Sequence, residues 1–399
     1  MFKDLKRVTY QVSDMDAARN WYSNLLGLKP VYDSPVSVAF MIGGILLMLV
    51  RERDPLMDDS GRVTVYWEVE NVDAAFRRMI DLGASPHAEP MNYPAKRIAR
   101  VRDPFGNIVG LAGSIPDERG KDLRTHPSDT AMYVAFFRAL AAQDDRPEIK
   151  GPDTYAHLFL SEESKKPLMD PCSRKSPMFQ LWGPLYAYFV ARTAFFDHVF
   201  EEALHDRMPQ IVNLGSGYDT RAYRFRDSLQ QTRVFELDAL ATQNRKRDIL
   251  QKESILPPTQ LSFVPIDFKI DDLSQTLEKA GFDRKRRSLF LWEGVMYYLS
   301  VAEVDRVMDA IKNNSMRGSR LCFDYVTEKL PSSSANEAIQ SGIEEEQIPS
   351  FLAARGYKVL DHVNTGEMAK RYLTLRDGTL GEKPVGRMHF VLAERSEEK

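Results

Sequence analysis

The sequence is poor in cysteine. Its 399 residues hold two, Cys172 and Cys322. Neither a disulfide framework nor a thiolate metal cluster can be built from them, and the scarcity fits a reducing, cytoplasmic compartment. A dominant charge is also missing. Lys plus Arg number 54 and Asp plus Glu 57, for a formal net charge of −3. No nucleic acid or anionic membrane is expected as a partner on that balance. Long apolar runs are absent too. The longest, Val36 to Val50, is too short to span a bilayer and is broken at Gly43-Gly44, so it reads as two strands about a turn. The first residues, Met1-Phe-Lys-Asp-Leu-Lys-Arg7, lack the apolar stretch of a signal peptide.

What is present is ordinary for a folded protein: 43% hydrophobic and 28% charged residues, in a chain long enough for two or three domains. Residues 1–115 alternate strands and helices in a pattern that occurs twice. A strand at Arg7–Val12, a helix at Met15–Leu26 behind an Asp14 cap, and a hairpin of 38–42 with 45–50 form the first copy. A strand at Val63–Val69, a helix at Ala74–Leu82, and strands at 97–102 and 108–112 form the second. Residues 116–128 are polar with Pro and Gly and read as a linker.

From residue 129 to 399 the texture changes. Helices are expected at 130–142 and 185–204. Short apolar strands follow at 211–214, 234–237, 262–266, 289–292, 320–325 and 388–393, mostly with helices between them. Such alternation predicts a doubly wound, mostly parallel sheet covered on both faces. Residues 331–347 read as a loop or lid.

Chemistry concentrates at the ends of these strands. Ile211-Val-Asn-Leu-Gly-Ser-Gly-Tyr-Asp-Thr-Arg221 is a buried strand, a glycine turn and a helix start. Gly215 and Gly217 allow a ligand close to the backbone, and a helix N-terminus offers unpaired N–H groups. The next strand ends Phe235-Glu-Leu-Asp238, where Glu236 and Asp238 can accept from ribose hydroxyls. The third ends Pro265-Ile-Asp-Phe268, where Asp267 can meet an exocyclic amine and Phe268 a purine face. The fourth ends Leu291-Trp-Glu-Gly294. Any one of these could be a cap or a surface charge. Four in order, each at a carboxyl end, describe a nucleoside site.

Ala191-Arg-Thr-Ala-Phe-Phe-Asp197, Asn213 to Arg221, Phe235 to Asp238 and Trp292-Glu-Gly-Val-Met-Tyr-Tyr-Leu299 stand in the order and spacing of one family. With Ser128 to Ala139, they make residues 127–395 resemble the leucine carboxyl methyltransferases, a branch of the class I S-adenosylmethionine-dependent methyltransferases with a seven-stranded sheet. The resemblance implies S-adenosyl-L-methionine as cofactor. It also implies roles: Arg192 on the methionine carboxylate, Gly215 against the cofactor, Asp238 with Glu236 at the ribose, Asp267 and Phe268 around the adenine, and Glu293 toward the methionine amine. Some relatives carry a Lys on the first helix; here that helix offers Arg138, with no role assigned.

A carboxylate acceptor is already anionic and needs no general base, so no catalytic residue is assigned. A hydroxyl acceptor would need one, with histidine the first candidate. O-methylation of a small molecule, as in secondary metabolism, is expected, with carboxyl favoured by the family. The aromatic residues Tyr155, Trp182, Tyr186 and Tyr298 are candidates for the acceptor pocket. A protein C-terminal carboxylate is an alternative acceptor.

Val12-Ser-Asp14, Trp21-Tyr22, Leu26-Gly27 and Asp103-Pro-Phe-Gly-Asn107 make residues 1–115 resemble the glyoxalase/bleomycin-resistance/dioxygenase group, also called vicinal oxygen chelate proteins. Two βαβββ modules forming an α+β cup are implied. The aligned metal positions hold Arg7, Met48, Thr64 and Gly110, none a good ligand for a divalent ion, so no metal is expected. Homodimer formation through the cup is an open expectation. So is the alternative that the cup performs lyase or isomerase chemistry, or captures a ligand, with a regulatory methyltransferase-like partner.

Overall fold

The computed structural model describes residues 4–12, 14–42, 44–51, 63–93, 96–102, 108–113, 127–169, 177–268, 270–327 and 341–396. Nearly all of the expected linker, the 103–107 turn and most of the 331–347 loop lie outside these. Two compact units are present, one built on the strands up to Gly113 and the other on the strands from Gln210 onward.

The first unit runs β1 (Asp4–Val12), α1 (Met15–Leu26), β2 (Tyr32–Asp33), β3 (Ser37–Ile42) and β4 (Ile45–Arg51). It continues with β5 (Val63–Glu68), α2 (Val72–Asp81), β6 (Ser85–Tyr93), β7 (Lys96–Arg102) and β8 (Ile108–Gly113). Its eight-stranded sheet has the order β2-β3-β4-β1-β5-β8-β7-β6. β1 is parallel to β4, β5 is parallel to β8, and β1 meets β5 antiparallel at the centre. The expected βαβββ module therefore occurs twice. Each helix starts on a side-chain cap: Asp14 accepts from the Ala17 amide and Asn71 from the Ala74 amide, both at 2.9 Å. The sequence pattern does not reveal β6. It contains Pro86 and Pro90, which a strand tolerates at a sheet edge, and β6 lies at the edge.

Three of the four aligned metal positions have described side chains or none to describe. The Arg7 guanidinium lies 4.5 Å from the centre of the Tyr66 ring, and its Nη1 reaches the Met48 sulfur at 3.9 Å. Tyr66 in turn pairs in register with Gly110, which has no side chain to offer. Arg7, at one of these positions, is thus held against an aromatic ring and a thioether.

The second unit begins with α3 (Asp129–Ala142), α4 (Glu162–Met169) and, from Pro184 onward, the long α5 (Pro177–His205). β9 (Gln210–Leu214), α6 (Arg221–Arg224), β10 (Arg233–Asp238), α7 (Leu240–Lys252), β11 (Leu261–Pro265) and α8 (Leu273–Lys279) follow. β12 (Ser288–Trp292), α9 (Val301–Asn313), β13 (Arg320–Val326), α10 (Ile348–Ala353), β14 (Tyr357–Val363), α11 (Thr365–Tyr372) and β15 (Met388–Arg395) complete it. The sheet order is β11-β10-β9-β12-β13-β15-β14, parallel except for β15, which is antiparallel to both neighbours. β9 and β12 are buried at every residue, as strands covered on both faces must be. The chain winds outward from β9 to β11, then crosses to β12 on the other side of β9. That reversal opens a crevice at the carboxyl ends of β9 and β12, where open α/β sheets bind ligands.

β14 is likewise hidden in the sequence. Its Tyr-Lys-Val-Leu-Asp-His-Val pattern carries too much charge to read as a core strand, and it lies at the sheet edge. The end of the expected 331–347 loop contains a short 3-10 turn, Glu345–Gln347. Among the described residues no helix is long and apolar enough to cross a membrane.

Candidate active site

The turn after β9 is fixed by its neighbour strand. The amides of Gly215 and Ser216 both donate to the Leu237 carbonyl at 2.9 Å. The Gly217 amide donates to the Asp238 carboxylate at 2.5 Å, and the Ala239 amide donates to its other oxygen at 2.7 Å. Burial raises the Asp238 carboxyl above its ordinary value, against the pull of these amides. Gly215 has φ +71°, and a Cβ there would stand 2.3 Å from a methyl of Val295. The Ser216 hydroxyl is buried and meets no partner among the described residues.

From the other side, α5 delivers Arg192 to the end of β12. Its Nε lies 2.9 Å from Glu293 Oε1, and its Nη1 lies 3.3 Å from Asp324 on β13. The ring of Phe189 faces the guanidinium at 4.8 Å. Asp324 also accepts from the Tyr188 hydroxyl at 2.5 Å and from the Gly294 amide at 2.6 Å. Gly294, at φ +71°, has no room for a side chain: a Cβ would stand 2.9 Å from Arg192 Nη1. The second oxygen of Glu293 is held by Arg221 Nη1 at 2.8 Å. Arg221 also bonds Asp219, and its Nε pairs with Asp197 at 2.8 Å. Arg224 grips Asp197 with two nitrogens at 2.6 and 2.8 Å.

Three guanidinium groups thus meet four carboxylates, leaving one negative charge in a buried region. Burial alone would raise the Asp219 carboxyl. Arg221 first, then Lys246 and Arg138, outweigh it and hold the group well below the usual carboxylate range. Asp324 goes the other way: burial lifts it more than Arg192 lowers it. Such an array suits a small ligand that carries both an ammonium and a carboxylate and has a net positive charge.

The profile of the family described as "Leucine carboxyl methyltransferase" matches residues 131–312. That of the "Glyoxalase/Bleomycin resistance protein/Dioxygenase superfamily" matches residues 4–111. A Mycolicibacterium smegmatis protein named "Putative S-adenosyl-L-methionine-dependent methyltransferase" is 32% identical over 223 residues, covering 55% of this chain and 73% of that protein. Another of the same name, from Mycolicibacterium paratuberculosis, is 31% identical over 208 residues, 51% of this chain and 67% of its own length. The chain belongs to the S-adenosyl-L-methionine-dependent methyltransferases of the leucine carboxyl methyltransferase family. Among solved structures, a DUF574 family protein from Streptomyces avermitilis is 14% identical, covering 69% of this chain and 100% of its own, with a TM-score of 0.44.

Within this methyltransferase, Arg192, Gly215, Gly217, Asp238 and Glu293 gather at the crevice by the contacts above. Asp267 and Phe268 follow β11 on the same rim; the Asp267 amide is capped by Asp271 at 2.7 Å, and the Phe268 carbonyl accepts from Arg306. Glu236, expected near the ribose, instead pairs its carboxylate with Lys246 of α7 at 2.5 Å; neither side chain reaches solvent, so Glu236 is not open to a ligand. Of the acceptor candidates, Tyr186 is buried and its hydroxyl donates to Asp144 at 2.5 Å, an internal anchor. Tyr155 precedes a 3-10 turn at Ala156–Phe159, and Tyr298 packs on Tyr297 at 4.6 Å. The Trp182 side chain lies outside the described ones. Arg138, to which the sequence assigns no role, donates to the Tyr218 carbonyl at 2.7 Å and pairs with Asp153 at 3.3 Å, bracing the glycine turn.

Sequence reasoning gives no role to Arg221 or Asp324. Asp324 has a usable signal, a lone carboxylate inside the otherwise apolar Leu321-Cys-Phe-Asp-Tyr-Val326. Arg221 and Asp219 lie within the glycine-turn motif, but nothing in the spacing shows that Arg221 also reaches Glu293.

Proposed function

We propose that this methyltransferase acts on an oxygen of a small molecule, a carboxylate in preference to a hydroxyl. The observation that carries the cofactor assignment is the array at the crevice, in which Arg192 and Arg221 share Glu293 beside the Asp238-anchored glycine turn. When bound, S-adenosyl-L-methionine supplies an electrophilic methyl on a sulfonium centre. The Arg192 guanidinium takes the methionine carboxylate, a fork-to-carboxylate match. Glu293 takes the amine, Asp238 the ribose hydroxyls, and the buried Ser216 hydroxyl a polar group of the ligand. Asp267 and Phe268 frame the base.

An anionic acceptor needs no proton removed. The chain then has to hold two reactants in line and keep water out, which positioning alone accomplishes. A small acceptor is favoured over a protein C-terminus because the fused cup is of a kind that takes small ligands, an argument from fold analogy.

The test is incubation with methyl-tritiated cofactor and a panel of small aromatic and aliphatic acids, phenols and a C-terminal leucine peptide. Methyl esters release volatile tritiated methanol in alkali, whereas ethers do not. Transfer to small acids with alkali-labile label is the expected result. Label only in ethers, or only in the peptide, would overturn the acceptor assignment.

A further inference from the structure

On the face of the sheet that carries α9 and α10, four donor side chains converge. Tyr325 is the penultimate residue of β13, and His389 stands opposite it in register on β15. His362 on β14 pairs with Val391, two residues further along β15, so it is the diagonal neighbour of His389. The 3-10 turn brings Glu345 over the same spot. The Tyr325 hydroxyl lies 2.8 Å from His362 Nε2 and 3.3 Å from His389 Nδ1, and Glu345 Oε2 lies 3.7 Å from His389 Nδ1. The ligand atoms of Glu345, His362 and His389 are all within 4.8 Å of one another.

We propose that Glu345, His362 and His389, with the Tyr325 hydroxyl as fourth donor, form a zinc-type divalent metal site. Bonds of about 2.0–2.2 Å in a tetrahedron put neighbouring donors roughly 3.3 Å apart. Three separations, 2.8, 3.3 and 3.7 Å, bracket that value, and those among Glu345, His362 and His389 stay within 4.8 Å, so side-chain movement alone can draw the donors around one ion. Imidazole with carboxylate suits zinc and its neighbours in the transition series. The carboxylate is already oriented, since its other oxygen accepts from Asn364 Nδ2 at 3.1 Å, the kind of outer support that metal ligands use. Burial favours neutral imidazoles at His362 and His389, the form that binds metal. Glu344 and Glu346 flank the ligand carboxylate and add negative potential. The ion would clip the 3-10 turn onto three strands.

Nothing in this proposal depends on the acceptor or on cofactor binding. Tag-free, chelator-treated full chain is titrated with zinc by calorimetry and with cobalt(II) by visible absorption. One ion per chain, with the intense d–d bands of a tetrahedral cobalt site, is expected. His362→Gln and Glu345→Gln, chosen because both side chains are only partly buried, should each weaken binding at least tenfold while far-UV circular dichroism stays native. The exposed His198→Gln should bind as the parent does. Absence of saturable binding by the folded parent, or equal binding by the His362 and Glu345 variants, overturns the site.

Discussion

The carboxylate of Asp238 accepts the amide of Gly217 across 2.5 Å, so the acid that ends β10 also sets the shape of the turn that ends β9. Removing it costs twice, once in ligand contact and once in loop order. Asp238→Ala is expected to lower affinity for S-adenosyl-L-methionine at least tenfold, about 1.4 kcal/mol, by calorimetry. Asp238→Asn keeps one acceptor and should lose less. An alanine variant that binds like the parent would remove Asp238 from the site.

Arg192 is buried among Glu293, Asp324 and Tyr188. Truncation to Ala leaves Asp324 without its arginine and Glu293 with Arg221 alone. Denaturant unfolding should show a loss of about 3–5 kcal/mol, with cofactor affinity falling at least tenfold. Arg192→Lys restores charge but not the fork, so stability should recover more than binding does.

Gly215 faces Val295 at a distance no Cβ can share, and at a φ that side chains avoid. Gly215→Ala should destabilise by about 1–3 kcal/mol through the clash and further through the backbone. Val295→Ala in the same chain relieves the first part alone. A double-mutant cycle should therefore give a favourable coupling with a residual deficit, and additive effects would contradict the contact.

Asp144 provides a pH signature. Burial would raise its carboxyl, but Arg146 and Tyr186 outweigh burial and hold it at about 2. With its folded value below its unfolded one, this group stabilises fully above about pH 4. The contribution disappears as pH falls through about 2. Once solvent screening is allowed for, it amounts to about 1 kcal/mol. Thermal midpoints between pH 5 and 2 should fall more steeply for the parent than for Asp144→Asn, which starts lower at neutral pH.

Much of this architecture is legible in the sequence because central strands must be apolar. Ile211-Val-Asn-Leu214 and Leu289-Phe-Leu-Trp292 have no other stable use. β6 and β14 are not legible because edge strands are allowed prolines and charges, which look like loops. The glycine turn and the acids after β10, β11 and β12 stand out as motifs. Their partners do not, since Asp324 acquires meaning only from Arg192, 132 residues earlier in the chain. Glu236 misleads for the same reason: the lysine that neutralises it lies on the following helix, ten residues on. His362 and His389 likewise sit on separate strands that only the pairing with β15 makes neighbours.

Gly215 abuts Val295 and Gly294 abuts Arg192, so the turn after β9, the turn after β12 and helix α5 fit together like dovetailed joinery. A side chain added at either glycine would therefore displace a neighbouring element as well as strain its own turn, so this rim accepts no change at one position that the next does not feel.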